Sequence, residues 1–342
     1  MLLENKEELY NIEIEDFNFD LKEEEGENFI LTDEAKKRLQ KIKNLFDSKT
    51  PVLLEGPTGT SKTKTIQILC KILGKNLKRF NLNNETTIED LFGRLGSGGE
   101  DSWSNLNFIP GPFTESCIDG NVFLLDEINL GSKSILQSLE KPLDTRKIII
   151  DIPGYGRYEH DINENFIFVA TQNPKSGGFI NKREELSFKF ISRFQVVEFP
   201  EIEIDELKRI AEGIAAKNNY KNKEIVESIT NLHYQWVYKE KESKTSSQCF
   251  TIRDIKTVII TISSEQIKEE PGDAINCFYG SRYRGEAFDR LMNIIKTQYP
   301  LIYKDIKLIP ELPKDFPKCF SNFSLRKAFY FANIAKKIID TF

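Results

Sequence analysis

The segment Val52-Leu53-Leu54-Glu55-Gly56-Pro57-Thr58-Gly59-Thr60-Ser61-Lys62-Thr63 restricts the fold more than any other stretch of this chain. A short apolar strand enters a glycine-containing loop, the loop ends in Lys-Thr, and a helical stretch follows from Lys64. That order wraps backbone N–H groups around a polyphosphate at a helix N-terminus. Lys62 would place a positive charge on the β- and γ-phosphates and the Thr63 hydroxyl would bind Mg²⁺. Gly56, Pro57, Thr58, Gly59, Thr60, Ser61 and Lys64 would complete the cradle.

The bulk properties exclude several classes. At 342 residues the chain can hold two domains. It is 39% hydrophobic and 30% charged, the balance of a soluble globular protein rather than a disordered one. No apolar run reaches the roughly 18 residues of a membrane span. Met1 to Asp20 is acidic and has neither a basic n-region nor an apolar h-region, so no secretory signal is expected and the expected location is intracellular, nucleus or cytoplasm. A net charge of -5 does not suit a general binder of nucleic-acid backbone, although a local basic face stays open. The five cysteines, Cys70, Cys117, Cys249, Cys277 and Cys319, form no C-x-x-C pair and read as reduced thiols. His160 and His233 lack ligand-like spacing, so neither a histidine metal site nor a histidine triad is expected.

Along the chain, residues 1–28 carry the cluster Glu23-Glu24-Glu25 and read as an acidic extension. A helix is signalled from Thr32 or Asp33, with Ala35, Leu39, Ile42, Leu45 and Phe46 on one face and Pro51 as its stop. Residues 29–200 read as one α/β unit, in which 52–200 alternate strand and helix. The strand candidates are Val52–Leu54, Leu77–Leu82, Val122–Leu125, Phe166–Thr171 and Val196–Phe199. Runs such as Val122-Phe123-Leu124-Leu125 suit strands buried on both faces, so a doubly wound parallel α/β domain is expected. Gly93–Phe113 and Arg146–Asp161 interrupt the pattern and read as inserted hairpins. Residues 201–312 show helical periodicity (Leu207, Ile210, Ile214; Ile225, Ile229, Leu232, Trp236) with a polar loop at Lys239–Gln248, a smaller all-helical domain. Residues 313–342 read as a C-terminal helix that either closes this domain or leads to a further module.

Four further features carry chemistry. Asp126 and Glu127 end an apolar strand, where Asp126 can hold Mg²⁺ through water and Glu127 can polarise an attacking water. Asn173 ends another strand and could orient that water; an Asn-Pro turn is the plainer reading. Arg193, in Ile191-Ser192-Arg193-Phe194, could project from the domain edge to complete a neighbour's site, or form a surface ion pair. Arg253, in Phe250-Thr251-Ile252-Arg253-Asp254-Ile255, could reach bound phosphates, or be a solvated arginine at a helix start.

Taken in order, these segments resemble AAA+ ATPases of the dynein-related, midasin-like branch, which also includes MoxR-type proteins. Val52–Thr63 resembles the Walker A segment and Val122–Leu130 the Walker B segment. Ala170-Thr171-Gln172-Asn173-Pro174 with Ser192-Arg193-Phe194 resembles the sensor 1 and arginine-finger region, and Phe250–Ile255 the sensor 2 helix. Leu82–Leu91 and Gly111-Pro112-Phe113 match segments flanking the helix-2 insertion, and Tyr283-Arg284 an arginine-rich lid stretch. The likeness covers roughly residues 29–300. It implies a P-loop NTPase (AAA+) fold with a helical lid and ATP with Mg²⁺ as cofactors. It assigns Lys62, Thr63 and Asp126 to phosphate and metal, and Glu127, Asn173 and Arg193 to catalysis. Arg253 becomes sensor 2, and the hairpins become the helix-2 and pre-sensor-1 insertions. The implied partners are neighbouring AAA+ modules or subunits in a ring and a protein or ribonucleoprotein substrate.

One position departs from the pattern: Ser61 stands where a glycine usually precedes the Walker A lysine, and a side chain there could crowd the loop. Asn181-Lys182-Arg183-Glu184 lacks the aspartate of a guanine signature, which favours ATP over GTP. An Asp-x-Ser-x-Ser motif, a zinc pattern and an aromatic-plus-basic nucleic-acid motif are all missing from the sequence. The expected function is Mg-ATP hydrolysis coupled to remodelling of a protein or ribonucleoprotein complex, with preribosome maturation as the midasin-like case. The alternatives are a nucleotide-binding structural module without turnover, and a MoxR-type chaperone forming homo-oligomeric rings.

Overall fold

The computed structural model describes residues 29–97, 106–152, 156–173, 186–239, 250–263, 270–283 and 285–303. The acidic extension, the polar loop up to Gln248, Arg284 and the C-terminal helix expected at 313–342 lie outside the described residues. The chain runs α1 (Asp33–Asp47), β1 (Val52–Glu55), α2 (Lys62–Ile72), β2 (Leu77–Asn81), α3 (Ile88–Phe92), β3 (Gly93–Ser97), β4 (Leu106–Pro110), α4 (Pro112–Asp119), β5 (Val122–Asp126) and α5 (Lys133–Thr145). It continues through β6 (Lys147–Ile152), β7 (Gly156–Asp161), β8 (Ile167–Gln172), α6 (Phe188–Ile191) and β9 (Gln195–Glu198). The helical region follows as α7 (Ile204–Lys217), α8 (Lys223–Tyr234), α9 (Ile252–Ser263), α10 (Pro271–Phe278), α11 (Glu286–Gln298) and α12 (Pro300–Tyr303).

Five strands form one parallel sheet in the order β2-β5-β8-β1-β9. β5 is buried along its whole length, and β1 and β8 along all but their last residues, which is why each reads as an unbroken apolar run. One core layer joins Val52, Leu54, Ile66, Leu69 and Val169 to the apolar stripe of α1, Leu39, Ile42 and Phe46. The other, on the opposite face, is built on Phe113, whose ring meets Phe123, Phe166 and Phe168 edge-on. The sheet with helices on both faces is the doubly wound P-loop arrangement expected from sequence. Its carboxyl ends, where ligands bind in such sheets, bring Glu55, Asp126 and Gln172 to one rim.

Both expected hairpins form as separate antiparallel pairs, β3 with β4 and β6 with β7. They touch through Phe108 and Tyr158, whose ring centroids lie 4.4 Å apart. The helical region has its own core, with Leu207, Ile229, Leu232, Trp236, Ile255, Ile259, Ile275, Tyr279 and Ile295 buried. Among the described residues no helix is long and apolar enough to cross a membrane.

Candidate functional site

The loop after β1 needs its glycines. A Cβ on Gly56 would come within 2.0 Å of the Phe199 carbonyl, so the chain can leave β1 there only without a side chain. Gly59 has φ +89° and a Cβ on it would meet Thr251 Cβ at 2.7 Å, which places the entry to α9 directly against the loop. Ser61 is left-handed, with φ 66° and ψ 19°, and its hydroxyl makes no cap bond to α2. A non-glycine residue held there costs about 1–2 kcal/mol. The departure at Ser61 therefore acts through its backbone.

The floor of the site joins residues from α2, β5 and β8. Buried Lys62 donates to the Gly56 carbonyl at 2.7 Å, the Pro57 carbonyl at 2.8 Å and Asn173 Oδ1 at 2.8 Å. Asp126 is 3% exposed. Its Oδ1 accepts from Thr63 Oγ1 at 3.0 Å and Thr171 Oγ1 at 2.9 Å, and its Oδ2 accepts from Arg79 Nε at 2.5 Å. Glu127 follows in the left-handed region at φ 56°, its amide donating to Thr171 Oγ1 at 3.0 Å. Asn173 Nδ2 reaches Glu127 Oε1 at 3.4 Å, and Asn129 Nδ2 donates to the Asn173 carbonyl at 3.0 Å. A charged amine, an amide and a carboxylate are thus linked in sequence, and the metal-type carboxylate of Asp126 joins them through Thr171.

Above this floor lies a cleft of about 440 Å³. Thr58 to Thr65, Arg79, Asp126, Glu127 and Asn173 line it. Ile30, Ile202, Ile210 and Ile214, which pack with the core of the helical region, line it too, and so does Glu206, which accepts from Thr32 Oγ1 at 3.0 Å and Arg38 at 3.2 Å. Phosphate-type polar groups and an isoleucine cluster lining the same cleft fit a polyphosphate joined to a flat base. Ile252, Arg253 and Lys256 of the helical region complete the wall. Asp254 holds that entry in place: its Oδ2 accepts from the Thr251 amide at 2.7 Å, and its Oδ1 pairs with Arg282.

Arg193 does not line this cleft. Its guanidinium is clamped by Asp144 at 2.6 and 2.7 Å and by Glu140 at 3.0 Å, and it also donates to the Lys189 carbonyl at 2.6 Å. The pairing with Asp144 raises the Arg193 pKa and lowers that of Asp144.

Residues 51–194 match the family model described as AAA domain (dynein-related subfamily). The chain carries an AAA domain of that subfamily. Midasin of Giardia intestinalis is 27% identical over 240 residues, 67% of this chain and 5% of that protein. Midasin of Dictyostelium discoideum is 32% identical over 184 residues, 54% of this chain and 3% of that protein. Protein NorQ of Paracoccus denitrificans is 33% identical over 151 residues, 44% of this chain and 52% of that protein. The chain thus spans a small fraction of the midasins and about half of NorQ.

The fold brings most of the sequence-selected residues together. Thr58, Gly59, Thr60, Ser61, Lys62, Thr63, Lys64, Asp126, Glu127, Asn173 and Arg253 line the cleft. Gly56 and Pro57 stand behind it and hold Lys62 through their carbonyls. ATP and Mg²⁺ fit this donor set. A hydroxyl and one carboxylate, with phosphate oxygens and waters, is the hard-oxygen set Mg²⁺ takes. Among the described residues no group of three His, Cys, Asp or Glu side chains offers a rival metal site. Sequence reasoning missed Arg79, Thr171 as a partner of Asp126, Asn129 and Lys256. Thr171 had a readable signal, a lone hydroxyl two residues before Asn173 on a buried strand.

Proposed function

We propose that this chain binds Mg-ATP between an α/β unit of residues 29–200 and a helical lid of residues 201–312, and hydrolyses it with an arginine supplied by a neighbouring module or subunit. The observation that carries this reading is the meeting of Lys62, Thr63, Asp126, Glu127 and Asn173 in one cleft that Ile30, Ile202, Ile210 and Ile214 also line. Lys62 holds phosphate charge at the loop, while Thr63 and Asp126 hold Mg²⁺. The metal, when bound, neutralises charge on the β- and γ-phosphates. Glu127 takes the proton of the attacking water, and Asn173 fixes the Glu127 carboxylate through Nδ2. Arg253 approaches from the lid side, so closure of α7 and α9 over the loop follows occupancy. The paired hairpins carry that motion to a protein or ribonucleoprotein partner, with preribosome maturation as the case the midasin likeness suggests.

The test is ATP hydrolysis across protein concentration, with Glu127→Gln and Arg193→Ala beside the wild type. Glu127→Gln is expected to keep ATP binding and lower turnover by about 10²–10⁴-fold. Arg193→Ala is expected to remove the concentration-dependent part of the rate, a loss of about 10³-fold or more. Unchanged turnover in Glu127→Gln would sink the assignment. A second reading, a structural nucleotide module, draws support from the clamp on Arg193 and the backbone cost at Ser61. It predicts bound nucleotide and no turnover at any concentration.

A further inference from the structure

The strand beside β5 brings a cation to the candidate metal carboxylate that no motif accounts for. In the β2–β5 register Asn81 faces Asp126 and Arg79 faces Leu124, so Arg79 and Asn81, two residues apart, share a face of β2. From there Arg79 Nε reaches Asp126 Oδ2 at 2.5 Å. The two partners differ in burial, with the Asp126 side chain 4% exposed and that of Arg79 49% exposed. Asp126 Oδ1 is taken by two hydroxyls at 3.0 and 2.9 Å, whereas Oδ2 has only a longer second contact, Thr63 Oγ1 at 3.3 Å, besides Arg79.

We propose that Arg79 is a positioning residue whose guanidinium competes with the hydration shell of a divalent cation for Asp126 Oδ2, so that metal uptake at this site is an exchange against Arg79. The proposal rests on the Mg-nucleotide reading above. Mg²⁺ keeps several waters when bound through a single carboxylate, and those waters donate to the carboxylate's free lone pairs. With Oδ1 committed to Thr63 and Thr171, the accessible lone pairs are on Oδ2, where Arg79 already donates. Asp126 is buried and keeps a cationic partner at every stage of such an exchange, which avoids an uncompensated buried charge. Arg79 is half-exposed and can turn aside, and because it lines the cleft its charge stays near bound phosphates after release.

The experiment uses the full chain and a fluorescent ADP analogue, with free Mg²⁺ titrated at fixed analogue, for wild type, Arg79→Gln and Arg79→Lys. The Mg²⁺ midpoint in Arg79→Gln is expected to fall by about three- to fivefold, the size of one half-exposed ion pair. Arg79→Lys, which keeps the charge without the planar fork, should fall between. Melting temperatures give the second readout. Arg79→Gln should lose more in EDTA than in saturating Mg-ADP, whereas a purely structural ion pair predicts equal losses. Superimposed Mg²⁺ titrations, or equal melting losses, would overturn the exchange. If Arg79→Gln does not fold, Arg79→Lys decides by the same criterion. A wild-type chain that binds no analogue at any Mg²⁺ concentration would overturn the nucleotide reading and this proposal together. Binding with unshifted midpoints overturns this proposal alone.

Discussion

At the rim of the sheet Asp126 gathers Thr63, Thr171 and Arg79, and all four residues line the cleft. In the helical region Asp254 gathers the Thr251 amide and Arg282, while His233 Nδ1 bonds the Tyr279 hydroxyl behind them, and neither His233 nor Tyr279 nor Arg282 lines the cleft. Arg282 also lies over the Phe250 ring at 4.4 Å, and that ring stacks on Tyr279 at 4.5 Å. Both clusters bury a carboxylate, but one lines a cleft that a ligand can enter and the other does not. A polar cluster closed on itself holds a domain in shape, and one left open to a cleft has lone pairs that a metal or phosphate can use. The contact between Thr251 and Gly59 is where the closed cluster touches the open one.

The hardest blow to this contrast would be a tolerated loss of the helical region's own cation. Arg282→Ala leaves Asp254, 12% exposed, without its guanidinium partner. Removing one member of a mostly buried pair should cost about 3 kcal/mol, read from urea unfolding at neutral pH. A loss below about 1 kcal/mol would mean that the cluster in the helical region is not self-contained.

The next test uses protons. His233 is 1% exposed, and burial pushes its pKa down from 6.5 to about 4, with Asp254 opposing the shift and Arg282 adding to it. Between those two values the unfolded chain takes up a proton that folded His233 refuses, so stability falls as the pH drops through that window and is untouched by this group above it. The full drop is on the order of 3 kcal/mol. Comparing urea midpoints at pH 7 and near pH 4.5 for wild type and His233→Gln isolates it, because the carboxylates titrate in both. Equal acid sensitivity in the two chains would show that His233 charges without unfolding the helical region.

How much of this was legible in sequence follows from where each contact comes from. β1, β5 and β8 were read to within a residue because strands buried on both faces leave no polar interruption. The Walker-like floor was legible because Lys62, Asp126 and Asn173 each end a recognisable local run. Arg79 was not, since Leu77-Lys78-Arg79-Phe80-Asn81 is a mixed edge strand whose importance lies in its register with β5. The clamp on Arg193 was equally hidden, because Glu140 and Asp144 sit 53 and 49 residues away on α5. Helix α9 begins at Ile252, inside the segment Phe250–Ile255 that reads as a helix start, and the Asp254 carboxylate accepts from the Thr251 amide at that start. Ile210 and Ile214 were visible as helical periodicity, but only the fold shows that they turn toward a cleft.

The smallest predicted effect returns to the open cluster. Ser61 holds a left-handed φ of 66° with no cap bond from its hydroxyl, so its side chain gives α2 nothing visible in exchange for the backbone cost. Ser61→Gly should remove about 1–2 kcal/mol of that cost and lose about 0.4–1 kcal/mol through the freer unfolded chain, a net gain of about 0.5–1 kcal/mol. The Ser61 carbonyl accepts from the Thr65 amide and hydroxyl, both at 2.9 Å, and the substitution leaves that acceptor in place. The expected result is a small rise in urea midpoint with nucleotide affinity kept or improved. A fall in either would mean that the Ser61 hydroxyl serves the bound ligand. The loop would then be as specialised in its side chains as the floor beneath it.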